Sequence, residues 1–63
     1  MNMTRSVYDA FVFALVLAIS ADSEEDSAKA VVLAQDFAQS LTAKQRERGK
    51  VQALRILGQE EGK

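Results

Sequence analysis

The sequence predicts an all-α fold with three helices, and three observations carry this prediction. The 63-residue chain contains no Pro and only three Gly, and it is rich in residues that favour helix. Three segments show the helical spacing of apolar residues. A Ser or Thr that can cap a helix precedes each segment. We expect one small domain, 1–63, with helices at about 6–20, 24–40 and 43–57, a frayed tail at 58–63, and a helical hairpin plus third helix as its arrangement.

The first predicted helix is apolar on every side. Ser6 and Asp9 have the S-x-x-D spacing of a variant capping box, and the run AFVFALVLAI follows at 10–19 without one polar residue. A helix that is apolar all round is a buried helix. Two amphipathic helices offer one apolar stripe each and cannot enclose it. We therefore expect a second copy of the chain, or another protein, to cover the remaining side.

The predicted oligomer interface is the bulky row on this helix, which consists of Phe11, Val12, Leu15, Val16 and Ile19. Small residues recur every four positions at Ala10, Ala14 and Ala18, and this row can face either a symmetry mate or the second helix. Two-fold dimers are the commonest oligomers. We therefore expect a homodimer or higher oligomer that forms a helix bundle, with the first helix packed against its mate and flanked by the second helix of both chains.

The second predicted helix has the strongest start signal in the chain. Ser23 can cap it, and Glu24, Glu25 and Asp26 then lie at the positive end of the helix dipole. These acids lack the Gly and the distant Glu of a calcium loop, so they indicate capping and no metal site. The apolar face of this helix comprises Ala30, Leu33, Ala34, Phe37 and Leu41.

The third predicted helix begins after Thr42, with Gln45 at the position that completes a capping box. The Thr favours a break before this helix, although nothing at 40–42 forbids one continuous helix. Gly58 is the predicted stop. Gly49 lies inside the helix and indicates either a close contact or a weak position.

Charge is divided unevenly along the chain. Residues 1–40 carry two basic and six acidic side chains, whereas residues 41–63 carry six basic and three acidic ones. Lys44, Arg48 and Arg55 fall within a narrow angular range of the third helix. The alternative function is therefore a nucleic-acid-binding module with a basic third helix. The net charge of −1 argues against a nucleic-acid reader, which normally presents a clearly basic face.

The composition gives no support to catalysis. The chain has no His and no Cys, which removes the commonest general base, thiolate metal sites and disulfides, and it has no phosphate-binding loop. We expect a non-enzymatic protein without a cofactor, and a cytoplasmic location because the lack of Cys fits a reducing compartment. Ten apolar residues are too few for a membrane span. Asp9 stands immediately before them, where a secretory signal carries positive charge.

One resemblance covers about half of the chain. The run YDAFVFALVLAISADSEEDSAKAVVLAQDFAQSLT at 8–42 resembles short, functionally uncharacterised helical proteins of cyanobacteria and their phages. Those proteins pair a D-A-x-x-x-A-L-x-L-A-I helix with a second Ala-rich helix after an acidic cap, and an L-T turn follows. The resemblance implies a small helical accessory protein, with no known activity and no functional residues to transfer.

Overall fold

The computed structural model describes residues 7–61, with side chains as far as Gln59, and contains three helices. These are α1 (Val7–Ser20), α2 (Glu24–Ala38) and α3 (Ala43–Glu61), and the described part of the chain contains no strand. The predicted all-α fold with three helices is therefore confirmed. The predicted cap at Ser6 and the last two residues of the predicted tail lie outside the described residues.

A connection of three residues joins α1 to α2 in a helical hairpin. Ser23 caps α2 from an extended conformation (φ −127°, ψ 157°), and its Oγ accepts a hydrogen bond from the Asp26 amide at 3.1 Å. The Ser27 hydroxyl donates to the Ala18 carbonyl at 2.6 Å and so ties the first turn of α2 to the last turn of α1. Ala14 and Ala34 are buried in one core cluster. The small row of α1 therefore faces α2.

The α2 helix ends at Ala38, two residues before the predicted end at 40. The chain leaves it through two tightened turns, in which the Ser40 amide donates to the Phe37 carbonyl and the Leu41 amide to the Ala38 carbonyl, both at 3.0 Å. Bonds of this i to i−3 type commonly satisfy carbonyls at the end of a helix. The Arg46 guanidinium then donates to the Leu41 carbonyl at 2.7 Å and to the Ala38 carbonyl at 3.2 Å.

A capping box starts α3. The Gln45 amide donates to Thr42 Oγ1 at 3.1 Å, and the Thr42 amide donates to Gln45 Oε1 at 2.9 Å. Both donors lack a partner within the helix, so the reciprocal pair favours a new helix start over a continuation of α2. The predicted break between the second and third helices is confirmed.

Gly49 sets how closely α3 approaches α1. A Cβ atom at this position would lie 2.7 Å from two ring carbons of Phe11 and 3.4 Å from Val12 Cγ2. Gly49 therefore marks a close contact between α1 and α3. Of the two alternatives predicted for this residue, a close contact or a weak position, the structure supports the first. Ala53 and Leu57 continue the buried stripe of α3 at one-turn intervals. Thus α1 is the central helix: it packs against both other helices, which touch each other little.

Gly58 does not end α3, so the stop predicted at this residue is wrong. The helix continues to Glu61, and no glycine among the described residues has a positive φ. A C-terminal glycine ends a helix when it takes the left-handed conformation. Here Gly58 stays helical, and the Gln and Glu residues that follow are good helix formers.

Candidate interaction surfaces

The predicted oligomer interface divides into buried and accessible residues. Phe11 and Val12 are only 3% and 5% exposed within the single chain, so they offer almost no surface to a second chain. The reason is Gly49, which has no side chain and lets α3 lie directly over them. Leu15 and Val16 are half-buried, and Ile19 is exposed.

A groove runs between the C-terminal half of α1 and one flank of α3, and we name it the α1–α3 groove. Its lining consists of Leu15, Ile19, Lys50, Ala53 and Leu54. Ile19 and Leu54 are 56% and 61% exposed, so two large apolar side chains stand open to solvent here. The Lys50 ammonium lies 4.0 Å from a Glu47 carboxylate oxygen, in a well-exposed pair that contributes little to stability. Two residues of the predicted interface, Leu15 and Ile19, therefore lie at an accessible apolar site.

A second groove, the α1–α2 groove, lies between the end of α1 and the flank of α2. Its lining consists of Leu17, Ser20, Ala21, Asp22, Asp26, Lys29, Ala30 and Leu33. Leu17 and Leu33 are 42% and 49% exposed. Phe13 lies one turn before Leu17 on the same face of α1 and is 63% exposed. None of these three side chains belongs to the interface that the sequence predicts.

The sequence contained no signal for the exposed side of α1. A polar residue within 10–19 would have marked it, and that run contains none. Only the packing of α2 and α3 decides which apolar residues remain outside. The sequence therefore predicts that α2 and α3 leave part of α1 exposed. The structure shows which large apolar residues of α1 are exposed: Phe13, Leu17 and Ile19, in addition to Val7 at its start.

The predicted cationic stripe lies on one exposed face of α3. Lys44, Arg48 and Arg55 are all exposed. Arg48 belongs to two shallow depressions on this face, one shared with Lys44 and the other with Arg55. The lining that the structure describes for these depressions includes no carboxylate. We name these three residues the basic face. It lies away from the Gly49 stripe that packs on α1, so it is open to a partner.

The described residues offer no site for metal chemistry and no membrane span. Among them, no group of three or more acidic side chains is placed to hold a metal ion. None of the helices, over the part of the chain that the structure describes, has the length and apolar character needed to cross a membrane.

Comparison of the chain with protein-family models, with curated protein sequences and with solved structures yields no match. The resemblance to small helical proteins of cyanobacteria and their phages therefore stays a prediction. The fold and the surfaces described above are the basis for a functional assignment.

Proposed function

We propose that this chain is a non-enzymatic interaction protein that works as a homo-oligomer, with the exposed apolar residues of α1 in the interface. One observation carries the proposal: α1 presents Phe13, Leu17 and Ile19 to solvent in a helix without a polar face between 10 and 19. Large exposed apolar patches mark interaction sites in folded proteins. The proposal places the other copy of the chain on these patches.

The balance between buried and exposed apolar residues supports this proposal. Nine large apolar side chains are exposed among the described residues. The buried set contains four large ones, Phe11, Val12, Leu41 and Leu57, and four alanines. Full burial of one large apolar side chain contributes about 1.5–3 kcal/mol. Burial of these exposed side chains between copies would therefore add more stabilisation than in a domain whose large apolar side chains are already buried.

The size of the chain supports a second copy as the partner. A core in a domain of this length supplies only about 3–5 kcal/mol, and small domains usually add a disulfide, a metal or oligomerisation. The sequence has no Cys and no His, so oligomerisation is the remaining means that needs no further component. If the pure protein is a folded monomer in the following experiment, a different protein or a membrane surface is the remaining occupant of these patches.

Sedimentation equilibrium of the pure protein tests self-association. We expect the wild type to sediment as an oligomer over about 10 μM to about 1 mM, a range that covers weak specific binding. Leu54→Glu puts a carboxylate in the apolar α1–α3 groove, and burying a charge in a desolvated contact is unfavourable even where a cation such as Lys50 lies near. This variant should dissociate. Val51→Glu is the matched control, because Val51 lies on the same helix with a similar exposure, 54% against 61%, but outside both grooves.

A folded wild-type monomer at about 1 mM would contradict the proposal, because specific association weaker than this is negligible. Equal dissociation by Leu54→Glu and Val51→Glu would also contradict it, since the effect would then not depend on the groove. Circular dichroism on each variant establishes that the helices are retained.

The basic face supports a second candidate function, binding to nucleic acid. Lys44, Arg48 and Arg55 are exposed together, and no described carboxylate shares the depressions they line. Rows of Lys and Arg on one helix can neutralise successive phosphates, and the affinity of such contacts falls steeply with salt.

Mobility-shift titration with short duplex DNA and duplex RNA tests this candidate. Binding at low salt should weaken as salt is raised. Arg48→Glu should reduce it, whereas the control Glu25→Gln, on the exposed start of α2, should leave it unchanged. Absence of a mobility shift at tens of micromolar protein in low salt would exclude this function.

A further inference from the structure

The two apolar grooves lie on opposite faces of the α1–α2 hairpin. Leu17 lines the α1–α2 groove, and Ile19, two residues later, lines the α1–α3 groove. Two residues correspond to about 200° around an α-helix, so these side chains leave α1 in nearly opposite directions. Each chain therefore carries two separate apolar surfaces, and a partner that covers one leaves the other exposed.

The charges that border the two grooves differ in sign. Asp22 and Asp26 border the α1–α2 groove together with Lys29, and Glu24 and Glu25 lie beside them on the exposed start of α2. In the lining of the α1–α3 groove, the one charged side chain described is that of Lys50. Its pair with Glu47 is exposed and at the limit of contact, so Lys50 can change partner at little cost.

The sign of these charges discriminates between the ways in which two copies can meet. Pairing of the α1–α2 groove with itself would bring two acidic borders together, and pairing of the α1–α3 groove with itself would offer Lys50 no carboxylate from the lining of the other copy. Like charges placed opposite each other in an interface are unfavourable. Pairing of one groove with the other brings Lys50 of one copy to the acidic border of the next and covers both apolar surfaces.

We infer that copies of this chain associate head to tail, with the α1–α2 groove surface of one copy bound to the α1–α3 groove surface of the next. This inference rests on the proposed self-association and replaces the two-fold dimer expected from the sequence. Because the two grooves lie on opposite faces of the hairpin, a pair of copies forms one such contact and leaves one groove of each kind uncovered. The assembly is therefore a ring, in which each copy has two neighbours, or an open chain, in which each copy except the two at the ends has two neighbours.

Two variants with one damaged groove each test the head-to-tail contact. Leu33→Glu damages the α1–α2 groove, and Leu54→Glu damages the α1–α3 groove. Both residues are about half exposed in the chain, at 49% and 61%, so both variants should keep the fold. Each variant alone should sediment as a monomer. An equimolar mixture should form a 1:1 dimer and nothing larger. The intact α1–α2 groove of Leu54→Glu can bind the intact α1–α3 groove of Leu33→Glu, whereas the two remaining grooves of this dimer each carry a glutamate and cannot bind a further copy.

The outcomes separate the inference from the proposed function. A monomeric wild type defeats both. An oligomeric wild type with one variant that still dimerises alone defeats the head-to-tail contact, since one groove then pairs with itself. Two monomeric variants that stay monomeric when mixed also defeat it. Circular dichroism and the chemical-shift dispersion of each variant show whether it is folded, and Val51→Glu serves again as the matched control.

The sign of the salt dependence gives a second, independent measurement. Opposite charges across the contact predict that the dissociation constant of the wild type rises several-fold between about 50 mM and about 500 mM salt, because screening weakens the attraction. Lys50→Glu should abolish this dependence or reverse it. A wild-type dissociation constant that falls as salt rises would contradict the inference, because like charges at the contact would then be the ones screened.

Discussion

Replacement of Gly49 by Ala tests the close contact between α1 and α3. The new Cβ atom would lie 2.7 Å from ring carbons of Phe11, where carbon atoms normally approach to about 3.5–4.0 Å. The ring must therefore move by about 1 Å, and Phe11 is only 3% exposed and enclosed by the core. Overpacking of this kind costs about 1–3 kcal/mol. The helix preference of Ala over Gly returns about 1 kcal/mol.

We therefore expect Gly49→Ala to lower the free energy of unfolding by about 1 kcal/mol, which corresponds to about 4–8 °C in Tm for a domain of this size. The control is Gly58→Ala in the same helix, where a Cβ would meet nothing within 4 Å. This variant should be stabilised by up to about 1 kcal/mol. The two substitutions are chemically identical and have opposite expected signs.

Thermal and urea unfolding followed by circular dichroism measure both variants. The protein concentration is held constant, because association shifts apparent stability. A double-mutant cycle combines Gly49→Ala with Phe11→Leu. In the Phe11→Leu background, Gly49→Ala should lower the free energy of unfolding by less, because the ring carbons that the new Cβ atom meets are absent. If Gly49→Ala raises the Tm as much as Gly58→Ala does, the close contact between the two helices is refuted.

Three further predictions concern the helix ends and the core. Thr42→Ala removes one half of the capping box and should cost about 1 kcal/mol in urea unfolding, while Thr42→Ser should retain most of the stability. Arg46→Met keeps the apolar stem but leaves the carbonyls of Ala38 and Leu41 without the guanidinium; we expect a loss of about 1–3 kcal/mol and faster hydrogen exchange at this connection. Ala34→Leu inserts bulk where α2 meets α1, at a residue 4% exposed, and should lower the Tm through a cost of about 1–3 kcal/mol, whereas the neighbouring exposed Gln35→Leu should not.

Local chemistry made most of the fold predictable. The starts of α2 and α3 follow from Ser23 and from the pair Thr42 and Gln45, because a cap acts over three residues and is visible in the sequence. The end of α3 was not predictable in this way. A glycine such as Gly58 permits a left-handed turn without requiring one, and tertiary context decides whether the helix continues.

The candidate site was predictable only in part. The sequence showed that α1 exceeds the cover its two partners can give, but it could not show which residues the partners take. That choice depends on Gly49, whose missing side chain brings α3 over Phe11 and Val12 and leaves Ile19 outside. The role of Arg46 was equally hidden. In the sequence it is one more cation in a basic run, and only the turn after α2 brings two carbonyls within its reach.

The three-residue connection between α1 and α2 has a consequence for the order in which the chain folds. Closing so short a loop costs little chain entropy. The contact between α1 and α2 also includes Ala14 and Ala34, whose side chains have no rotamers to be ordered. We therefore expect the hairpin to form early and α3 to dock on a surface that already exists. If the Gly49 contact belongs to this late step, we expect interference with it to accelerate unfolding and to leave the folding rate nearly unchanged. The lifetime of the folded chain would then depend on the helix that joins last.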